Sequence, residues 1–85
     1  KSMYYYVYML KTLPSYKSKT YVGYSTNLNS RLIKHNSNKG AKATKGYKWE
    51  MIFKKKFLTK SSAMSYEYLL KNDRKKRLSI LKESL

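Results

Sequence analysis

The sequence predicts an α+β fold, a small α/β sandwich in which a three-stranded antiparallel sheet is flanked by helices in the order β-β-α-β-α-α. Three observations carry that expectation. Residues 4–10 (YYYVYML) form a continuous apolar-aromatic run, the pattern of a strand buried on both faces. Residues 20–24 (TYVGY) and 49–57 (WEMIFKKKF) are also strand-like. The segments after the second and third runs carry capping residues followed by apolar positions at helical spacing.

Residues 11–19 (KTLPSYKSK) contain the only proline and read as the long loop of an antiparallel hairpin joining the first two strands. Thr26 or Asn27 then precedes Leu28 as an N-cap for the first helix. In it, Leu28 and Leu32 share one stripe, while Arg31 and His35 stack one turn apart on the neighbouring stripe. Residues 36–48 (NSNKGAKATKGYK) hold two Gly and four Lys, and read as a flexible basic loop of the kind that wraps a phosphate backbone. In the third strand Trp49, Met51 and Phe53 are expected on one face, with Ile52 opposite. Thr59 to Ser62 offer caps for a second helix running through Leu70. Asn72-Asp73 breaks and restarts the chain, and residues 74–84 form a last helix with Leu78, Leu81 and Leu85 at helical spacing. No repeat, linker or low-complexity stretch suggests more than one domain over residues 1–85.

Charge narrows the function. Lys plus Arg total 20 against four acids, a formal net charge of +16. Such a field attracts polyanions over a Debye length of about 8–10 Å. A lysine surface kept for solubility would carry interspersed acids. A membrane-surface binder would gather its cations on one amphipathic helix with bulky apolar anchors. Here the lysines are spread along the chain, which points to nucleic acid. Lysines outnumber arginines 17 to 3, a balance suited to phosphate contact more than to bidentate reading of bases. With no cysteine, no apolar run near the roughly 20 residues of a membrane span and no signal-peptide pattern, an intracellular location is expected.

The same composition restricts the chemistry. A cysteine nucleophile is absent, and one histidine cannot build a His cluster around a metal. The acids are Glu50, Glu67, Asp73 and Glu83, and only Glu67 lies within an otherwise apolar helical segment, at turn spacing from Ala63 and Leu70. A carboxylate there needs a partner. That partner is either one of the many lysines or a Mg²⁺ ion that keeps most of its waters.

The order of the motifs adds to this. Tyr6-Val7-Tyr8 and Tyr21-Val22-Gly23 are followed by Ser-Thr-Asn-Leu-x-x-Arg-Leu-x-x-His-Asn at residues 25–36. Then come Lys-Gly-Ala-Lys-x-Thr-Lys-Gly at 39–46 and Ala63-x-x-x-Glu67 before Leu70-Lys71. Over residues 4–82 this succession resembles the GIY-YIG nuclease superfamily, notably its small stand-alone members and the catalytic domain of the structure-specific nuclease subunit that cuts flaps and branched junctions. The resemblance implies a small antiparallel sheet flanked by helices and metal-dependent hydrolysis of the DNA backbone. Tyr8, Tyr21, Arg31, His35 and Glu67 match the family's catalytic positions, with Glu67 as ligand of Mg²⁺ or Mn²⁺, and Gly23 matches the motif glycine. On this reading Tyr8 takes a proton from the attacking water. Its ordinary pKa of about 10 would have to be lowered by the positive surroundings and the metal. His35 would orient Tyr8 or carry a proton itself, and Arg31 would neutralise charge on the phosphate oxygens.

The DNA backbone is expected to lie along Lys34, Lys39, Lys42, Lys45, Lys48 and Lys71. Two departures stand out: Tyr6 replaces the first triplet's glycine, and valine replaces isoleucine in both triplets. No zinc-binding or coiled domain is expected beside the motifs, so selectivity should come from DNA shape, branched or flapped, from residues 36–48, or from a protein partner. A non-catalytic nucleic-acid-binding module of the same fold is the alternative, and a basic RNA-binding or ribosome-associated protein a third, which leaves the ordered motifs unexplained.

Overall fold

The apolar run becomes the middle strand of the sheet, which is why it is apolar on both faces. A computed structural model of the chain describes residues 3–85. It contains β1 (Tyr5–Thr12), β2 (Thr20–Ser25), α1 (Leu28–Asn36), a single 3₁₀ turn (Lys42–Thr44), β3 (Trp49–Phe57), α2 (Lys60–Asn72) and α3 (Arg74–Glu83). The strands lie in the order β2-β1-β3, and both pairings are antiparallel. The predicted α+β class and element order are observed.

Alternation along β1 sends its side chains into two separate cores. Val7 and Met9 join Val22, Ala63, Leu70 and Ile80, the layer formed with α2 and α3. Tyr8 and Leu10 join Trp49, with Leu28 and Leu32 of α1 packed against them. Tyr8 is only 1% exposed and Leu10 is fully buried, so this second core takes in a phenol.

The third strand departs from its predicted alternation. Met9 pairs with Phe53 while Leu10 pairs with Met51, so Ile52 is an extra residue on β3. A bulge of this kind makes two residues face one and turns the later part of the strand to the other side. Trp49 and Met51 therefore pack beside Tyr8 and Leu10, whereas Ile52 and Phe53 both pack beside Val7 and Met9. The expectation that Phe53 shares a face with Trp49 and Met51 is corrected accordingly. Past the bulge, Lys54 stands opposite Tyr8.

Each helix starts on the residue type that physics favours. Asn27, Thr59 and Asp73 accept hydrogen bonds from the backbone N–H groups of Ser30, Ser62 and Lys76, at 3.0, 3.1 and 2.9 Å. Asp73 also ends α2, its N–H bonding to the Leu70 carbonyl, and Arg77 ties the elbow by donating to that carbonyl at 2.8 Å. In α3 the core residue is Ile80, whereas Leu78 is exposed, as is Leu85 beyond the helix end. The leucine spacing there marks a helix but not its buried face. Among the described residues no helix is long and apolar enough to cross a membrane.

Candidate active site

Strand register brings the two motif tyrosines together. Tyr8 pairs with Gly23 and Leu10 with Tyr21, so Tyr8 and Tyr21 are diagonal neighbours on one face. Their ring centroids lie 6.4 Å apart. The phenol of Tyr8 lies across Gly23: a Cβ there would stand 2.6 Å from the hydroxyl oxygen and 2.9 Å from Cζ. The second triplet thus ends in glycine because any side chain would displace Tyr8.

From the adjoining helix, α1 delivers His35, which is 1% exposed. Its Nε2 lies 2.8 Å from the Tyr8 hydroxyl, and its Nδ1 lies 2.9 Å from Thr44 Oγ1. Thr44 donates its own hydroxyl proton to the Ala41 carbonyl at 2.7 Å. That donation settles the direction of the chain. With its single proton used, the Thr44 oxygen accepts from Nδ1–H of neutral His35, which leaves the Nε2 lone pair to accept the Tyr8 O–H. Gly40 completes the cradle, since a Cβ there would collide with the His35 ring.

Residues 36–48 are basic, as expected, but they are pinned in place. Trp49 donates its indole N–H to the Thr44 carbonyl at 3.1 Å. Asn36 brackets the Trp49 backbone, accepting from its N–H at 2.6 Å and donating to its carbonyl at 3.1 Å. Thr44 itself is fully buried. The flexible loop read from the glycines and lysines is therefore corrected to a strap whose inner edge holds His35. Asn36, Gly40 and Thr44 lie within the motifs without a role assigned to them, and Trp49 lies outside them; all four are site residues.

Burial sets the electrostatics. Desolvation raises the Tyr8 pKa well above its ordinary value. The nearby Tyr21 and Glu67 charges push it the same way, and Arg31 opposes them. Arg31 lowers the Tyr8 pKa, as expected of a positive neighbour, but withdrawing the phenol from water outweighs the guanidinium. His35 is shifted down, first by burial and then by Arg31. At neutral pH both groups are uncharged, with the proton on Tyr8 and an acceptor waiting on His35.

This carries a stability consequence. The folded protein holds His35 neutral, while the unfolded chain protonates it near 6.5, so below that pH the unfolded state binds more protons. Stability should be full above about pH 6.5 and decline as pH falls towards the depressed folded pKa. Urea denaturation at about pH 7.5 and about pH 5 tests this: the decline should shrink in His35→Gln.

The remaining predicted residues gather around this chain. Arg31 is half-buried, acts electrostatically on both Tyr8 and His35, and has no acidic partner among the described residues. Glu67 of α2 lies at turn spacing from the buried Ala63 and Leu70, with its side chain 18% exposed and near enough to act on Tyr8. Its carboxylate lies 3.4 Å from Lys71 Nζ, one helical turn along. Lys34, Lys39, Lys42 and Lys45 are exposed. Lys48 is also exposed but donates to the Asn36 carbonyl, and Lys71 is occupied by Glu67.

Among the described residues, Glu67 is the only carboxylate that acts on Tyr8. Glu50 pairs with Lys11 and Asp73 caps α3. No group of three metal-ligating side chains occurs among the described residues. A lone, partly exposed hard-oxygen donor fits a Mg²⁺ or Mn²⁺ ion held mainly by water and substrate phosphate, and does not fit a zinc-type cage.

Comparison with known proteins agrees in extent with this site. A family model described as the GIY-YIG catalytic domain matches residues 4–79, a span that includes all five residues from Tyr8 to Glu67. A UPF0213 protein of Staphylococcus epidermidis is 40% identical over 65 residues, covering 74% of this chain and 79% of its own length. One from Oceanobacillus iheyensis is 43% identical over 67 residues, covering 78% and 74% respectively. The solution NMR structure of the UPF0213 protein BH0048 from Bacillus halodurans is 33% identical, with coverage of 94% of this chain and 84% of that one and a TM-score of 0.49.

Proposed function

The chain belongs to the GIY-YIG catalytic domain family, a nuclease superfamily, and from that premise we propose that it is a metal-dependent endonuclease hydrolysing DNA phosphodiester bonds. One observation carries the reading: the buried Tyr8–His35–Thr44 hydrogen-bond chain, with Tyr8 within the electrostatic reach of both Arg31 and Glu67.

Tyr8 acts as a proton conduit and not as a preformed phenolate. As water attacks phosphorus, its proton passes to the Tyr8 oxygen while the phenol proton passes to His35 Nε2. The resulting imidazolium keeps its Nδ1–H bond to Thr44. This route avoids ionising a phenol whose pKa burial has raised. Arg31, without an acidic partner, faces the charge that builds on the non-bridging oxygens. Glu67 would hold Mg²⁺ or Mn²⁺, which when bound polarises the phosphate and stabilises the leaving 3′ oxygen.

The exposed lysines grip the backbone with little reading of bases. Selectivity therefore falls on DNA shape, with branched or flapped substrates preferred, or on a protein partner, and the setting is intracellular. A non-catalytic DNA-binding module has one observation on its side, the Glu67–Lys71 ion pair. Incubating the protein with branched and linear duplex DNA, in Mg²⁺, in Mn²⁺ and in EDTA, separates the two. Cleavage with either metal, abolished by EDTA and faster on branched DNA, is expected. Intact DNA under every metal condition would leave only the binding module.

A further inference from the structure

The sheet face that carries Tyr8 continues beyond α1 as an open floor. Tyr6 pairs with Lys56 and Tyr8 with Lys54, so Tyr6, Lys54 and Lys56 all stand on the Tyr8 side of the sheet. Lys54 and Lys56 are exposed, and Lys56 Nζ sits 4.4 Å from the centre of the Tyr4 ring. Between this floor and the start of α1 runs a groove of about 350 Å³, lined by Tyr6, Thr26, Asn27, Leu28, Asn29 and Lys54. Among the described residues no acidic side chain lines it.

We propose that this groove is a nucleotide subsite in which Tyr6 stacks an unpaired base of the substrate strand while Lys54 and Lys56 hold its flanking phosphates. The assignment rests on the endonuclease reading, because it places the scissile phosphate at Tyr8. Positions 6 and 8 of one strand are roughly 6.5–7 Å apart, a step comparable to one nucleotide of an unstacked strand. Aromatic rings interleaved with cations are the means by which proteins bind single strands without reading sequence. A duplex keeps its base faces stacked, so only an unpaired nucleotide can offer one to Tyr6. The inferred substrate thus has a single-stranded stretch beside the cleaved bond, as in a flap, a gap or a junction.

Binding in EDTA tests this without cleavage. The wild-type protein should bind an oligothymidylate at least about fivefold more tightly than an abasic oligomer with the same number of phosphates, the smaller end of a single base–aromatic stack. Tyr6→Ala should erase that difference, Tyr6→Phe should keep it, and duplex affinity should not change in either. Equal wild-type affinity for the two oligomers overturns the proposal, and that comparison needs no variant to fold. So does Tyr6→Phe weakening binding as much as Tyr6→Ala, an equal loss on duplex, or displacement of the oligomer by polyglutamate as readily as by DNA. Because no metal is present, these results are independent of whether the protein cuts. Failure of the endonuclease reading shows instead as absent cleavage in Mg²⁺ with this stacking preference intact.

Discussion

Tyr8→Phe is expected to slow DNA cleavage by about 10²–10⁴-fold, the range typical of removing a positioned acid–base group, with DNA affinity unchanged. The substitution deletes one oxygen and leaves the ring filling the core. In the proposed mechanism that oxygen relays the proton of the attacking water to His35 Nε2, which it meets at 2.8 Å. Deleting it also strands a buried acceptor, since His35 is 1% exposed. The fold should lose about 1–3 kcal/mol, the penalty for an unmet buried polar group. Single-turnover cleavage and urea denaturation on the same preparation separate the two effects. Cleavage at the wild-type rate would remove the phenol from the proton path.

How much of this is legible in the sequence depends on whether contacts repeat locally. Strand and helix order come from residues 4–10, 20–24 and 49–57 and from Asn27, Thr59 and Asp73, because alternation and capping are local. The bulge at Ile52 is not legible, since register depends on the partner strand. Nor is the choice of Ile80 over the leucines of α3, which is decided by how the helix docks.

At the site, Tyr8, Tyr21, Arg31, His35 and Glu67 are selected by motif order, and the structure gathers them. Motif order does not show why the neighbours must be what they are. Gly23 is small because the Tyr8 phenol crosses it, and Gly40 is small because the His35 ring fills its place. Thr44 stands in the 39–46 motif without an evident role, yet its hydroxyl fixes which imidazole nitrogen faces Tyr8. The sign of the Tyr8 shift escapes the sequence for a related reason. Net charge is visible in composition, whereas desolvation depends on burial between Gly23, Tyr21 and His35.

One glutamate, Glu67, is proposed to turn a basic binding domain into a cutter, and Glu67→Ala tests this most directly. The fold should tolerate the change: the ion pair it removes has a half-exposed lysine as partner, and such pairs contribute little. Removing an acid raises the positive charge by one, so DNA should bind equally well or slightly more tightly. Cleavage of branched DNA in Mg²⁺ should fall by at least about 10²–10³-fold, the scale of losing one electrostatic stabiliser of the transition state. Measured side by side in wild type and Glu67→Ala, retained binding with lost cleavage is the predicted result. Cleavage undiminished by the substitution would contradict it.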